Sequence, residues 1–228
     1  MAVTAVGSLA TTNGTGNVTF SVTTTTIGNC VILGVRTNSI SLTVSSISGS
    51  GVTWSSLGSG FVSSGRGRTY EIWLGLVTSV VSGATHTVTW SGDPSAKTQS
   101  YSPQEFTNGS GAATTWALDG AQYAGREDNT TSTTINWPTL TSGGLNRVYF
   151  GKGSQTSGTP TGAGSPAGFV YSANTDMWCY GFVNAGSISP TSVCGSTTAT
   201  GDVAALIVPT PPPVLGPTPY HSYYGSYF

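Results

Sequence analysis

No long stretch of this chain sets apolar residues at i, i+3, i+4 and i+7 without Gly, Ser or Thr breaking the run. Amphipathic helices are therefore not expected as its building blocks. Alternation takes their place. The stretch "NVTFSVTTTT" (17–26) sets Val18, Phe20 and Val22 against Thr19, Ser21 and Thr23. "SLTVSSIS" (41–48), "TYEIWLGLV" (69–77) and "THTVTWSG" (85–92) repeat the pattern, and "CVILGVRT" (30–37) is a short apolar run of the kind found in strands covered on both faces. Further segments rich in β-branched and aromatic residues, at 100–106, 132–137, 147–153, 168–173, 176–183 and 202–208, are separated by Gly, Ser, Asn and Pro clusters. Many short strands punctuated in this way predict an all-β, antiparallel sandwich with jelly-roll-like connections.

The halves of the chain match each other. In the first, "VILGVR", "GVTWSS", "YEIWLGLV", "THTVTWSG" and "SYSPQEFT" follow in order; in the second, "VYFGKG", "AGFVYS", "DMWCYGFV", "ISPTSVCGS" and "DVAALIVP" do. This predicts an internal two-fold pseudo-repeat, about 17–107 and 130–208, within one sandwich domain (1–208) that closes a single hydrophobic interior. The connection between the repeats, near 107–130, holds the charge cluster Arg126-Glu127-Asp128.

Only 7% of the residues are charged, against roughly 25% in an average protein. The formal net charge of −1 argues against nucleic acid or an acidic membrane surface as a partner. Aromatic content of 10% separates the chain from Gly/Ser-rich disordered polymers, which are poor in aromatics. No run approaches the ~18 apolar residues of a membrane span. The start, "MAVTAVGSLATTNG", lacks the basic and apolar regions of a secretory signal, so synthesis in a cytoplasm without export is expected. With 3 cysteines, at least one is unpaired; Cys179 and Cys194 either bridge two strands or sit as small buried apolar residues beside Cys30.

Catalytic groups are scarce. His86 lies in an alternating strand and reads as a sheet-face residue, and His221 lies near the end of the chain. Glu71 and Glu105 are the best pair for glycoside hydrolysis, which needs two carboxyl groups across a cleft; each otherwise pairs with an arginine or faces solvent. Asp93, Asp119, Glu127 and Asp128 are the acids available for a calcium loop, but no Asp-x-Asp-x-Asp-Gly run frames them. No enzyme activity, cofactor or metal is expected. The 6 tryptophans, Trp54, Trp73, Trp90, Trp116, Trp137 and Trp178, serve either as core or as a platform for sugar rings.

The V-x-L-G-V strand, then "GVTW", "YEIW", "TVTWSG" and "EFTNGSG", and a second round closing on "DVAALIVP", resemble a β-sandwich family of tailed-bacteriophage virion proteins, with related domains in bacterial surface proteins. The resemblance spans roughly 15–209. It implies a non-enzymatic structural or adhesive role, as capsid decoration or tail-associated subunit. Expected partners are other virion proteins and further copies of the chain, with a host-surface glycan as an alternative ligand.

The chain departs from that pattern after residue 208. "PTPPPVLGPTP" favours extended polyproline conformation. "YHSYYGSYF" then concentrates tyrosine with no charge. Residues 209–228 read as an arm that docks on a neighbour through Pro217, Tyr220, Tyr223, Tyr224, Tyr227 and Phe228.

Overall fold

The apolar run Cys30–Thr37 is buried at every position in the computed structural model, which describes residues 2–7 and 10–210. Val31, Leu33 and Val35 enter one hydrophobic cluster, and Cys30 and Ile32 enter another on the opposite face. A strand reads as continuously apolar when layers cover both of its faces.

The strands of the first half are β1 (Thr4–Val6), β2 (Thr12–Thr15), β3 (Thr19–Val22), β4 (Cys30–Thr37), β5 (Val44–Ser48), β6 (Val52–Ser56), β7 (Phe61–Ser63), β8 (Arg68–Val77), β9 (Ala84–Trp90) and β10 (Thr98–Thr107). Those of the second are β11 (Thr115–Asn136), β12 (Leu140–Ser142), β13 (Arg147–Gln155), β14 (Pro160–Ser165), β15 (Val170–Tyr171), β16 (Trp178–Val183), β17 (Gly186–Ile188) and β18 (Thr191–Thr210). A 7-stranded sheet has the order β1-β10-β4-β8-β6, with β2 added on β10 and β7 on β8. A 6-stranded sheet has the order β11-β18-β13-β16-β15, with β14 added on β18. The 3-stranded sheet β3-β9-β5 and the 2-stranded sheet β12-β17 complete the set. The fold is an all-β antiparallel sandwich.

Both large sheets contain the same core order. β10-β4-β8-β6 in one corresponds to β18-β13-β16-β15 in the other, and these are the segments matched between the halves of the sequence. The outer layers also correspond. In the first half β9 lies between β3 and β5 as a separate sheet. In the second, the start of β18 lies between the end of β11 and β14. There the long strands β11 and β18 carry the outer layer onto the inner sheet, through register shifts at Asp128/Ser132 and Ser132/Thr134. Pro103 of β10 sits opposite the gap between β1 and β2, where it interrupts neither pairing.

Burial is divided among three clusters, where the sequence reading expects one interior. The first, with Phe20, Leu33, Trp73 and Trp90, lies between β3-β9-β5 and the 7-stranded sheet. The second, with Ile32, Ile72, Phe106, Phe150, Val203 and Ile207, lies between the two large sheets. The third, with Ile135, Trp137, Tyr149, Cys179 and Leu206, lies on the far side of the 6-stranded sheet. The difference follows from parity. In β18, Val203, Ala205 and Ile207 face the central seam while Ala204 and Leu206 face outward into the third cluster. Each fully buried Ile, Val or Phe contributes on the order of 1.5–3 kcal/mol.

Where β4 crosses β13 the sheets come close. A Cβ placed on Gly34 would lie 2.8 Å from Cβ of Lys152 and 3.0 Å from its Cγ and Cδ. These atoms belong to the fixed end of a buried side chain, so they cannot swing away. Gly34→Ala is expected to lower the free energy of unfolding by about 1–3 kcal/mol, the usual cost of overpacking, as read from the denaturant midpoint. An unchanged midpoint would show that the seam is looser than this spacing implies.

Candidate functional site

The seam between the large sheets is apolar over most of its area and polar at one end. Lys152 projects from β13, alongside Val148 and Phe150, and is completely buried. Its Nζ donates to Oγ of Ser100 at 2.8 Å and of Ser102 at 2.9 Å, both on β10 of the facing sheet. Arg36 of β4 forms an ion pair with Asp176, Nε to Oδ1 at 2.5 Å, and both are buried. Arg36 also donates through Nη1 to Asn38. Arg68 and Tyr70 of β8 reach Ser154 of β13, the tyrosine at 2.6 Å. Polar side chains thus link the two sheets at several points. Burial lowers the Lys152 ammonium to about 7 from its ordinary 10.5; Asp176 opposes that shift and Arg36 reinforces it. The sequence reading misses this strip, although a charged residue inside each of the apolar runs "VILGVR" and "VYFGKG" marks it.

The residues singled out from the sequence are dispersed. Pro217, Tyr220, Tyr223, Tyr224, Tyr227, Phe228 and His221 lie outside the described residues. Glu71 and Glu105 point from the same face of one sheet, but β4 separates their strands, and they stand opposite Val35 and Val31 respectively. That offset puts their backbones roughly 17 Å apart by strand geometry, beyond the roughly 5–9.5 Å spanned by glycosidase carboxyl pairs. Among the described residues neither pairs with an arginine. Glu71 accepts from the Val44 amide at 2.7 Å and the Trp73 indole at 3.0 Å, and burial raises its pKa. Oε1 of Glu105 accepts from the Thr25 amide and hydroxyl and from Asn29 at 2.8 Å. Glu105 also lines a cleft of ≈ 420 Å³ with Ser21, Thr23, Val31 and Pro103. Each acid anchors a loop or the start of a neighbouring strand.

His86 is fully buried, stacked on Phe20, and accepts at Nδ1 from the Trp54 indole at 3.1 Å. Burial lowers its pKa. Among the acids considered for calcium, Asp93 holds Ser95, Asp119 holds Arg147 at 3.1 Å, and Asp128 holds Thr130 and Arg126. Among the described residues no three His, Cys, Asp or Glu side chains come together. Cys30, Cys179 and Cys194 are free and buried. The Cys194 thiol donates to Gln155 at 3.3 Å, so the bridge to Cys179 left open by the sequence is not formed.

Two surface features remain. Trp178, Tyr180 and Phe182 alternate along one face of β16 as an aromatic ladder. The Trp178 and Tyr180 rings stack at 6.1 Å and 10°, and Tyr180 meets Phe182 at 6.2 Å. Phe182 is 43% exposed and the other two are half-buried, with Tyr180 and Phe182 set edge-on against the fully buried Phe106 of the second cluster, whereas Trp73, Trp90, Trp116 and Trp137 are core. The second feature is a groove of ≈ 300 Å³ between β6, β8 and the start of β11.

Lys152 makes stability depend on pH in a defined direction. The unfolded chain keeps this proton to about pH 10.5 and the folded chain releases it near 7, so the unfolded state binds more protons in that interval. The stability of the native protein minus that of Lys152→Met should therefore rise from pH 7 towards 10.5 in urea titrations. A flat difference would contradict a buried, proton-releasing amine. Compared with models of protein families, with curated proteins and with solved structures, the chain matches none.

Proposed function

We propose that this protein is a non-enzymatic structural subunit of a tailed-phage particle, placed on the capsid or the tail and held there by contacts with its neighbours. The observation that carries this reading is the double sandwich itself. Two equivalent sheets are packed face to face, with Arg36, Arg68 and Lys152 joined across the seam to Asp176, Ser154, Ser100 and Ser102. Such an interior resists deformation, which suits a load-bearing block, and its ionisable groups are tied into the scaffold. The sequence supports the same role: few charges, and, beyond Pro209 and Thr210, which the structure places in β18, an uncharged segment from 211 onward rich in proline and tyrosine. The strand succession resembling virion sandwiches supplies the particle.

The aromatic ladder favours a second reading, binding of cell-surface glycan. Trp178 and Phe182, at the two ends of the file, offer partly exposed aromatic surface to a sugar ring, and Trp178 stands beside the polar end of the seam, next to Asp176 and Lys152.

The first reading predicts that the protein is recovered from gradient-purified phage particles in many copies, and that antibodies against it decorate them in immunogold images; particles devoid of it would contradict a structural role. The second predicts that Trp178→Ala abolishes retention on a glycan column while leaving the melting temperature within a few degrees. Equal retention of native and substituted protein would remove the ladder from consideration.

A further inference from the structure

We propose that the groove between β6, β8 and β11 is the acceptor for the tyrosine-rich segment 220–228 of a second copy of this chain. This deepens the structural-subunit reading and rests on it. Leu74 and Leu76 of β8 and Trp116 of β11 form an apolar floor, with Leu76 37% exposed, and Thr53, Ser55 and Thr115 supply hydroxyl-bearing walls. Among the described residues, nothing lining the groove is charged. A tyrosine side chain matches this surface, since its ring needs apolar contact and its hydroxyl needs a polar partner. The segment "YHSYYGSYF" offers four such side chains and no carboxylate, lysine or arginine.

The groove also lies where sheet edges are open. β6 ends the 7-stranded order and β11 ends the 6-stranded order, so an added chain meets no covering strand there among the described residues. Position then decides whose segment enters. Thr210, at the end of β18, stands opposite Thr115, which lines the groove. Each chain thus leaves its sandwich beside its own groove. Pro211, Pro212 and Pro213 follow at once, and their fixed φ disfavours a tight reversal into it. The stretch 211–219 in polyproline conformation spans roughly 28 Å. A span of that length is long enough to reach a groove on an adjacent copy. A groove of ≈ 300 Å³ has room for about one or two tyrosine rings, so reciprocal exchange, which fills two grooves at once, is the arrangement that buries most.

The test uses two full-length variants, Leu76→Glu in the groove and a quadruple Tyr→Ser change at Tyr220, Tyr223, Tyr224 and Tyr227. Sedimentation should show the native chain self-associating and each variant weakened by at least about tenfold, the loss expected when anchoring side chains are removed. Far-ultraviolet dichroism and melting temperature should match the native protein, since Leu76 is partly exposed. Mixing the two variants should restore one of the two exchanged contacts, because the intact arm of one finds the intact groove of the other, so the mixture associates more tightly than either variant alone. A native chain that stays monomeric at all concentrations would overturn the proposal, and so would a Leu76→Glu chain that associates normally or a mixture no tighter than either variant alone. Incorporation into phage particles is scored separately. Particles that take up Leu76→Glu but exclude the tyrosine variant would place the arm on a different virion protein, overturning the groove and leaving the structural role intact.

Discussion

Everything in this molecule is arranged around the contact between its two large sheets. Neither has a face turned to water over its centre, so β4, β8, β13 and β18 must be apolar on both sides. That requirement explains the continuous runs "CVILGVRT" and "DVAALIV". It also explains why Gly34 stands where β4 crosses β13: the stem of Lys152 occupies the space a side chain would take. A charged group in such a place is costly unless neighbours satisfy it. The seam meets this demand with two serine hydroxyls for Lys152 and an ion pair for Arg36. On the other face of β18, turned away from the seam, one acid departs from it. Asp202 is fully buried and neither of its carboxylate oxygens has a well-formed hydrogen bond. Burial raises its pKa well above the ordinary range, and the charge of Arg126 and the Thr200 hydroxyl offset that only in part.

A stack built this way leaves the outer loops and the free sheet edges to meet other molecules. The interior acids are committed to holding strands: Glu71 fixes the start of β5, and Glu105 fixes the loop before β4. The surface instead presents aromatic and aliphatic contact, as in the ladder on β16 and the floor beneath Leu76. Contacts made through such surfaces would depend little on salt, in keeping with a chain of so few charges.

Much of the architecture is legible in the sequence because strand parity and turn residues are local signals. The pairing of "VILGVR" with "VYFGKG", and of "SYSPQEFT" with "DVAALIVP", foreshadows the shared strand order. The division of the core into three clusters is harder to see. Tyr149 and Phe150 look alike as sequence, yet one enters the outer cluster and the other the seam, and only the tertiary arrangement reveals that both faces are covered. The glutamates mislead for a related reason. Their place among aromatics is plain from the sequence, but their partners are backbone amides, an indole, hydroxyls and an amide side chain instead of arginines. The polar seam escapes notice because Ser100, Ser102 and Ser154 are indistinguishable from dozens of surface serines until β10 and β13 face each other.

The central claim is that the seam makes the two sandwiches one cooperative unit. Native-state hydrogen exchange measures this directly by giving an opening free energy for each amide. Cooperativity across the seam predicts that the amides of β4 and β13, at the middle of their sheets, exchange only through global unfolding and therefore share a single free energy. If those of β13 opened at a distinctly lower free energy while β4 stayed protected, the halves would be independent domains merely in contact, and the claim of a single unit would be wrong.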